Sequence, residues 1–439
     1  MEQTNIIQKR DITKQQELFE YHDETRTGFF SLLLKPNAQN VQQKSYRLSD
    51  MSTVIKLLPK DKDSYISQAE FYLPNRRVVN LTRIGLCFAD IDTYQSGLMR
   101  GKTLSAQVQA LLWYINNEGF PEPSIVMFSG RGLYAKWFFD TPIPRQALPR
   151  WNALQRQLVT ALEPLGADQS AKDASRVLRL EGTVNSKSGE VAEVVWANNT
   201  KYDFELFCEY VLPVAREVIE QRRKKKKLTS VERSKSPSKP RKTKSIQMLN
   251  WTRLNDLRAI CELRDGVSEG GRMLMMFWQL NFLLLSGVTN PNQMFYEARS
   301  LGKQLDPNWD FNQSDLSTLF NKAKAHFSGE RIELNGKRYS PLYTPKNQYL
   351  IDLFSITGDE QKQLKTIIDS NECAERDKNR KKLARAKAGA KAHANDEARA
   401  EARKMACGGM SQRAIAKELG VSVGAINAWL KTECSVSSL

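Results

Sequence analysis

Cysteine, histidine and long apolar runs are all scarce in this sequence, and each scarcity closes off a class of protein. The six cysteines, Cys87, Cys208, Cys261, Cys373, Cys407 and Cys434, stand at least 27 residues apart. With no Cys-x-x-Cys pair, neither a zinc cluster nor a disulfide framework is expected. Three histidines, His22, His326 and His393, are too scattered for the His-rich metal site of a rolling-circle or mobilisation nuclease. The longest apolar run, Met273 to Leu285, has 13 residues and is broken by Gln279 and Asn281. A bilayer span needs about 20, so the run predicts a buried helix and no membrane association. The opening MEQTNIIQKRD lacks a signal peptide's apolar core, and a cytoplasmic chain is the expectation. Gly101-Lys102-Thr103 suggests a phosphate-binding loop, but the motif requires glycine five residues before Gly101, where Ser96 stands. An ATPase is discounted, and a separate helicase becomes an expected partner.

The 439 residues are enough for two or three folded units. Hydrophobic residues at 41% supply real cores, while a mean hydropathy of −0.52 excludes a membrane-embedded chain. The net charge of +17 is concentrated. Residues 222–244 hold 12 bases and one acid, 374–405 hold 11 bases and 5 acids, and together these account for the whole excess. Polyanion contacts are therefore expected at a linker and near the C-terminus.

Short apolar runs at 28–34, 84–92, 124–128, 133–139 and 191–196 predict strands, and 103–119 and 149–166 have helical spacing. This predicts an α+β domain over 20–218. A Lys-, Ser- and Pro-rich stretch without apolar periodicity follows, read as a basic flexible linker over 219–248. Residues 249–345 show helical patterns separated by Gly, Asn, Pro and Ser signals, an all-α bundle. An Ala-, Lys- and Arg-rich helical arm is expected over 374–405, and a helix-turn-helix over 408–433.

Three segments carry chemistry. In FADID, Asp90 and Asp92 end an apolar run, and residues two apart on a strand project from one face about 7 Å apart. Two carboxylates there repel unless cations sit between them; Mg²⁺ and Mn²⁺ take such oxygen ligands, and paired ions serve in-line displacement at phosphate. A strand running out into a solvated acidic turn is the plain alternative. In SIVMFSGRGLYAKWFF, Ser129-Gly130-Arg131-Gly132 is a tight turn where backbone approaches a ligand closely and Arg131 reaches phosphate; Tyr134 and Lys136 share a face of the next strand. An ordinary hairpin reads equally well. In DASRVLRLEGTVNSKSG, Asp173 is a possible third ligand, beside Arg176, Arg179, Asn185 and Lys187; a plain loop is the alternative.

These three motifs, in this order, resemble the archaeo-eukaryotic primase superfamily, in particular its plasmid and phage replication proteins. The resemblance covers roughly residues 20–215. It implies a primase-polymerase making primers from nucleoside triphosphates on single-stranded DNA, with Asp90, Asp92 and Asp173 holding Mg²⁺ or Mn²⁺. It places Ser129, Gly130, Arg131, Tyr134, Lys136, Arg176, Arg179 and Lys187 around the nucleotide. Many members carry a histidine at the position of Tyr134, so either Lys136 and the arginines supply the phosphate contacts, the favoured expectation, or catalysis is weakened. The helical block is similar to the helical domain that accompanies such catalytic domains. A host polymerase is a further expected partner.

SQRAIAKELGVSVGAINAWLK fits a helix-turn-helix. Ala416 is small where helices cross, Gly420 takes the turn, and Ile415, Leu419, Val421, Ile426 and Trp429 form the apolar side. Ser422 caps the second helix; Asn427 is the candidate base contact, with Arg413 and Lys431 reaching phosphates of an origin duplex. The competing reading is a non-catalytic origin-binding initiator or regulator.

Overall fold

The structure is a computed structural model, and it describes residues 16–37, 40–198, 200–212, 245–268, 270–334 and 336–431. The expected linker lies outside the described residues up to position 244, as do Cys434 and the last two residues of the expected reader. The chain divides into two compact units, one ending at Pro345 and the other beginning at Lys346.

In the first unit, β1 (Phe29–Asn37), β2 (Asn40–Arg47), β3 (Asp63–Ser67), β4 (Ala69–Phe71), β5 (Leu81–Ile91), β6 (Ile125–Phe128), β7 (Leu133–Pro144), β8 (Val177–Arg179), β9 (Glu193–Ala197) and β10 (Lys201–Tyr202) form one ten-stranded sheet. Its order is β8-β3-β1-β4-β5-β7-β6-β9, with β2 on β1 and β10 on β7. The pairings are antiparallel apart from β10 with β7. This is the mixed α+β layer that the short apolar runs predict.

The helices of this half are α1 (Gln16–Phe19), α2 (Met51–Leu57), α3 (Leu104–Asn117), α4 (Leu148–Ala161) and α5 (Phe204–Val211). Central strand β5 is apolar on both faces because both are covered: Leu86, Cys87, Phe88, Ala89 and Ile91 have no exposed surface. Strand β4 is too short to pair with the second half of β5, and α4 supplies what is missing. Trp151 Nε1 donates to the Leu86 carbonyl at 2.9 Å, and Gln155 accepts from Phe88 N at 3.2 Å and donates to Phe88 O at 2.5 Å. A buried glutamine thus completes a ladder whose backbone groups would otherwise be orphaned.

Four longer helices follow: α6 (Ile246–Leu263), α7 (Arg272–Leu285), α8 (Pro291–Leu305) and α9 (Ser317–Phe327). Ser245 caps α6 by accepting from Met248 N at 3.1 Å, and Asn290 with Pro291 opens α8. The apolar run at 273–285 makes up nearly all of α7, buried at Met275, Met276 and from Trp278 onward, and its Asn281 is satisfied by reciprocal bonds with Tyr343 backbone at 2.8 and 3.0 Å. A small antiparallel hairpin, β11 (Ile332–Leu334) and β12 (Lys337–Tyr339), corrects the all-helical expectation for 249–345.

The second unit contains α10 (Asn347–Leu353), α11 (Gly358–Gln363), α12 (Ser370–Cys407), α13 (Gln412–Glu418) and α14 (Val423–Lys431). The 38-residue α12 contains the expected basic arm; Asp369 caps it and Gly408-Gly409 ends it, Gly409 having φ +81°. Ala402, Ile415, Ala416 and Ile426 form a small core ringed by Met405, Leu419, Val421 and Trp429. Gly420, at φ +62°, makes the turn between α13 and α14. No helix among the described residues is long and apolar enough to cross a membrane.

Candidate active site

The acidic end of β5 is where the topology exposes charge. After α4 the chain turns at Gly166, in the left-handed region at φ +92°, and runs back along the free edge of β5. Asp92 N donates to Gly166 O at 2.8 Å and Asp168 N to Asp90 O at 2.7 Å, with Ile91 bridged to Ala167. A Cβ on Gly166 would lie 2.6 Å from Asp92 O, so only glycine permits this approach. On the other edge Asp90 is paired with Tyr134 of β7.

Three carboxylates gather there against one guanidinium. Arg176 Nη2 is 3.1 Å from Asp168 and 4.0 Å from Asp90. Burial, reinforced by the charges of Asp92 and Asp168 and only partly opposed by Arg176, pushes the Asp90 carboxyl up to about 7. Its side chain is nevertheless 22% exposed, so the cluster opens to solvent. Asp92 accepts from Gln95 Nε2 at 3.0 Å.

Asp173, expected with these acids, lies elsewhere on the same loop. It accepts from Ser175 Oγ at 2.7 Å, and its charge bears on Arg76 and Glu297. Asp168 instead takes the place beside Asp90. The sequence offers no local signal for Asp168, because only pairing with β5 brings it there.

The Ser129–Gly132 turn is locked in place. Ser129 Oγ accepts from Gly132 N at 3.1 Å, and Asn185 Nδ2 donates to Ser129 O at 3.0 Å. Gly130, at φ +85°, packs against Asn185, and a Cβ on Gly132 would sit 2.4 Å from Ile91 O. Gly132→Ala is therefore expected to cost about 1–3 kcal/mol through forced backbone displacement, read as a lowered Tm; an unchanged Tm would show that the turn moves freely. Arg131 is exposed, its guanidinium 3.8 Å from the centre of the Tyr94 ring, and Lys187 is exposed on its own loop.

Three of the expected nucleotide contacts are turned inward. Lys136 shares a face with Tyr134 as the alternation predicts, but it is fully buried, its ammonium 5.5 Å from the centre of the Tyr21 ring. The segment that covers it, ahead of β1, is remote in sequence, and Lys136 does not face the open acidic end as expected. Arg179 is 5% exposed and committed to Asp63 at 2.6 Å and to Tyr65 OH at 2.9 Å. Asp63 also accepts from Ser186 N at 3.1 Å and Ser186 Oγ at 2.6 Å, which ties the start of β3 to a loop distant in sequence. Tyr134 is 6% exposed; burial above all, and then Asp90, push its phenol well above the usual range, so it stays neutral.

The donor set suits a hard divalent cation in charge, since such an ion would offset the mutual repulsion of Asp90, Asp92 and Asp168 that adds to burial in raising the Asp90 carboxyl. Among the described residues, however, no three His, Cys, Asp or Glu side chains already converge on one ion position. In the second unit Arg413 and Asn427 are exposed, and Ser422 Oγ accepts from Ala425 N at 3.2 Å, the capping expected of it. The side chain of Lys431 lies outside the description.

The chain is 31% identical over 310 residues to a replication protein of Clostridium perfringens, spanning 70% of this chain and 69% of that one. It belongs to the family of that replication protein. No family model matches it. Among solved structures it is similar to the primase-polymerase domain of cyanophage S-2L, at 20% identity and a TM-score of 0.33 over 43% of this chain and 90% of that one. It is also similar to the catalytic domain of the primase RepB′ in complex with initiator DNA, at 15% identity and a TM-score of 0.28 over 45% and 90%. At these scores the superpositions do not bear on chemistry, which rests on the residues themselves.

Proposed function

We propose that the chain initiates replication of a plasmid or phage-like element, and that its first unit is a primase-type nucleotidyltransferase. It would join nucleoside triphosphates into short primers on single-stranded DNA. The observation that supports this most is the crowding of Asp90, Asp92 and Asp168 against the single guanidinium of Arg176 at an open strand end. Structural acids are normally balanced by their neighbours; here burial first, and then the neighbouring acids, raise the proton affinity of Asp90.

Mg²⁺ or Mn²⁺ would be held by Asp90 and Asp92 with Asp168 beside them, Asp173 standing apart on the same loop, and would supply neutralising charge for the triphosphate. The protein's own groups do the rest. Asp90 gives up its proton as the site loads, and Arg176 is the cation placed to meet phosphate oxygens once it leaves Asp168. Ser129 and Gly130 shape the turn that presents Arg131, and Lys187 adds a second exposed charge. The 3′ hydroxyl of the initiating nucleotide attacks in line and pyrophosphate leaves. Tyr134, neutral and buried, walls the site.

A second reading, a non-catalytic origin binder, is favoured by one observation: Lys136, Tyr134 and Arg179 are internally satisfied or buried. The two readings separate on nucleotide chemistry. Full-length protein, labelled ribo- or deoxynucleotides, Mg²⁺ or Mn²⁺ and single-stranded template should give short products. None on any template, the cognate origin included, would leave the origin binder.

The α13–α14 pair is proposed as a helix-turn-helix reader of origin duplex, with Asn427 at base edges and Arg413 and Lys431 at phosphates. Deleting residues 411–439 should abolish preference for origin over random duplex in a competition assay and leave synthesis on generic single strands unchanged. Retained preference would remove the reader from this position. A separate helicase and a host polymerase complete the proposed machinery.

A further inference from the structure

The segment joining β4 to β5, residues 72–80, is gripped by the helical layer. Glu297 of α8 is 2% exposed and its carboxylate accepts from Val78 N at 3.1 Å and Val79 N at 3.0 Å. Asn80 Nδ2 donates to Ser300 at 3.1 Å, and Gln304 Nε2 donates to Asn80 Oδ1 at 2.7 Å. Arg258 of α6 donates to Val79 O at 2.6 Å and to Gln304 Oε1 at 2.9 Å. A buried carboxylate spent on two backbone amides holds a loop rigidly, because either partner left alone would be an unsatisfied buried group.

The same segment reaches the other way. Arg76 Nη1 donates to the carbonyl of Ser175, and its Nε and Nη2 fork onto Gln43 Oε1 at 3.1 and 2.9 Å. Ser175 sits between Asp173, whose carbonyl accepts from Arg176 N at 3.2 Å, and Arg176 itself, which meets Asp168 and Asp90. The Arg176 carbonyl is held in turn by Gln68 N at 3.0 Å, just before β4. One loop is therefore clamped by α8 at its end and braces the 173–176 turn from its middle.

We propose that Glu297 and Arg76 are positioning residues: docking of the helical layer on residues 78–80 is transmitted through Arg76 to the turn that carries Asp173 and Arg176, and so sets the arrangement around Asp90. The functional half of this inference rests on the nucleotidyltransferase reading; the mechanical half does not. It gives the helical layer a task in the acidic site through the backbone that it grips at residues 78–80.

Hydrogen exchange on the full chain tests the mechanical half directly. The reporters are the amides of Arg176 and Gln68, whose bonds define the turn. Arg76→Gln and Glu297→Ala should each speed exchange at both reporters by about tenfold, the effect of losing one such bond, while amides of the β5–β7 ladder stay unchanged. Arg76→Lys, which retains a donor for Ser175 O, should restore most of the protection. The inference is overturned if Glu297→Ala loosens residues 78–79 and leaves the reporters untouched, or if exchange rises throughout the unit. Where wild-type protein makes primers, both variants should lower the turnover number with the KM for nucleotide little changed. If wild type makes none, the nucleotidyltransferase reading fails, and the exchange result still decides the relay.

Discussion

Primer synthesis should fall by about a thousandfold or more when Asp90 and Asp92 are both replaced by asparagine, because removing the cation's ligands forfeits several kcal/mol of charge stabilisation in the transition state. The fold should survive the change. Asp90 meets its neighbours mainly through backbone, to Asp168 N at 2.7 Å and in register with Tyr134, and its side chain has only a 4.0 Å contact with Arg176. Asparagine has the same shape and no charge to bury. Two readouts separate lost chemistry from lost structure: the variant's melting profile, and the origin-duplex binding proposed for α13 and α14. Melting should stay cooperative with a Tm no lower than that of wild type, and duplex binding should match wild type, while products disappear. Synthesis within tenfold of wild type would remove these acids from the chemistry.

The second large effect has the opposite sign. Asp90 titrates near 7 in the folded chain and near 3.9 when unfolded. Folding therefore raises its proton affinity, and the ionised form opposes folding. Below about pH 4 the residue is protonated in both states and costs nothing. Between pH 4 and 7 the penalty grows, and above 7 it is complete, on the order of 4 kcal/mol. In EDTA at pH 8, Asp90→Asn should raise the Tm, and the gain should vanish as the pH falls to 4, measured by calorimetry or circular dichroism. Mn²⁺ should raise the wild-type Tm and leave that of the variant where it was. A residue that costs stability and is kept for function behaves this way; a structural carboxylate would instead show a loss of Tm on substitution at pH 8.

Much of the site's frame is readable from local pattern. A continuous apolar run ending in FADID must be a strand covered on both faces, and the structure makes it the central strand β5. The glycines of the Ser129–Gly132 turn mark a close approach, which proves to be to Ile91 O and Asn185. Alternation correctly puts Tyr134 and Lys136 on one face. What it does not show is what covers that face: Tyr21 lies over Lys136 and turns an expected phosphate ligand into a buried cation. The rest depends on long-range pairing. Asp63 and Arg179 are 116 residues apart, and Asp168 meets Asp90 only because Gly166 lets the chain return along β5. Contacts of that kind have no signature in spacing or composition.

The grip of α8 on residues 78–80 belongs to the same class. Glu297 sits in a helical pattern where a lone acid reads as surface, and only the fold reveals that two backbone amides claim it.

One titration goes to the centre of the matter. Isothermal calorimetry of Mn²⁺ into the metal-free full chain at pH 7.5, alongside Asp90→Asn, asks whether the acids at the end of β5 hold a divalent ion. Saturable binding by wild type that is lost in Asp90→Asn is the expected result. No binding by wild type, or equal binding by both proteins, would contradict a metal-dependent site there.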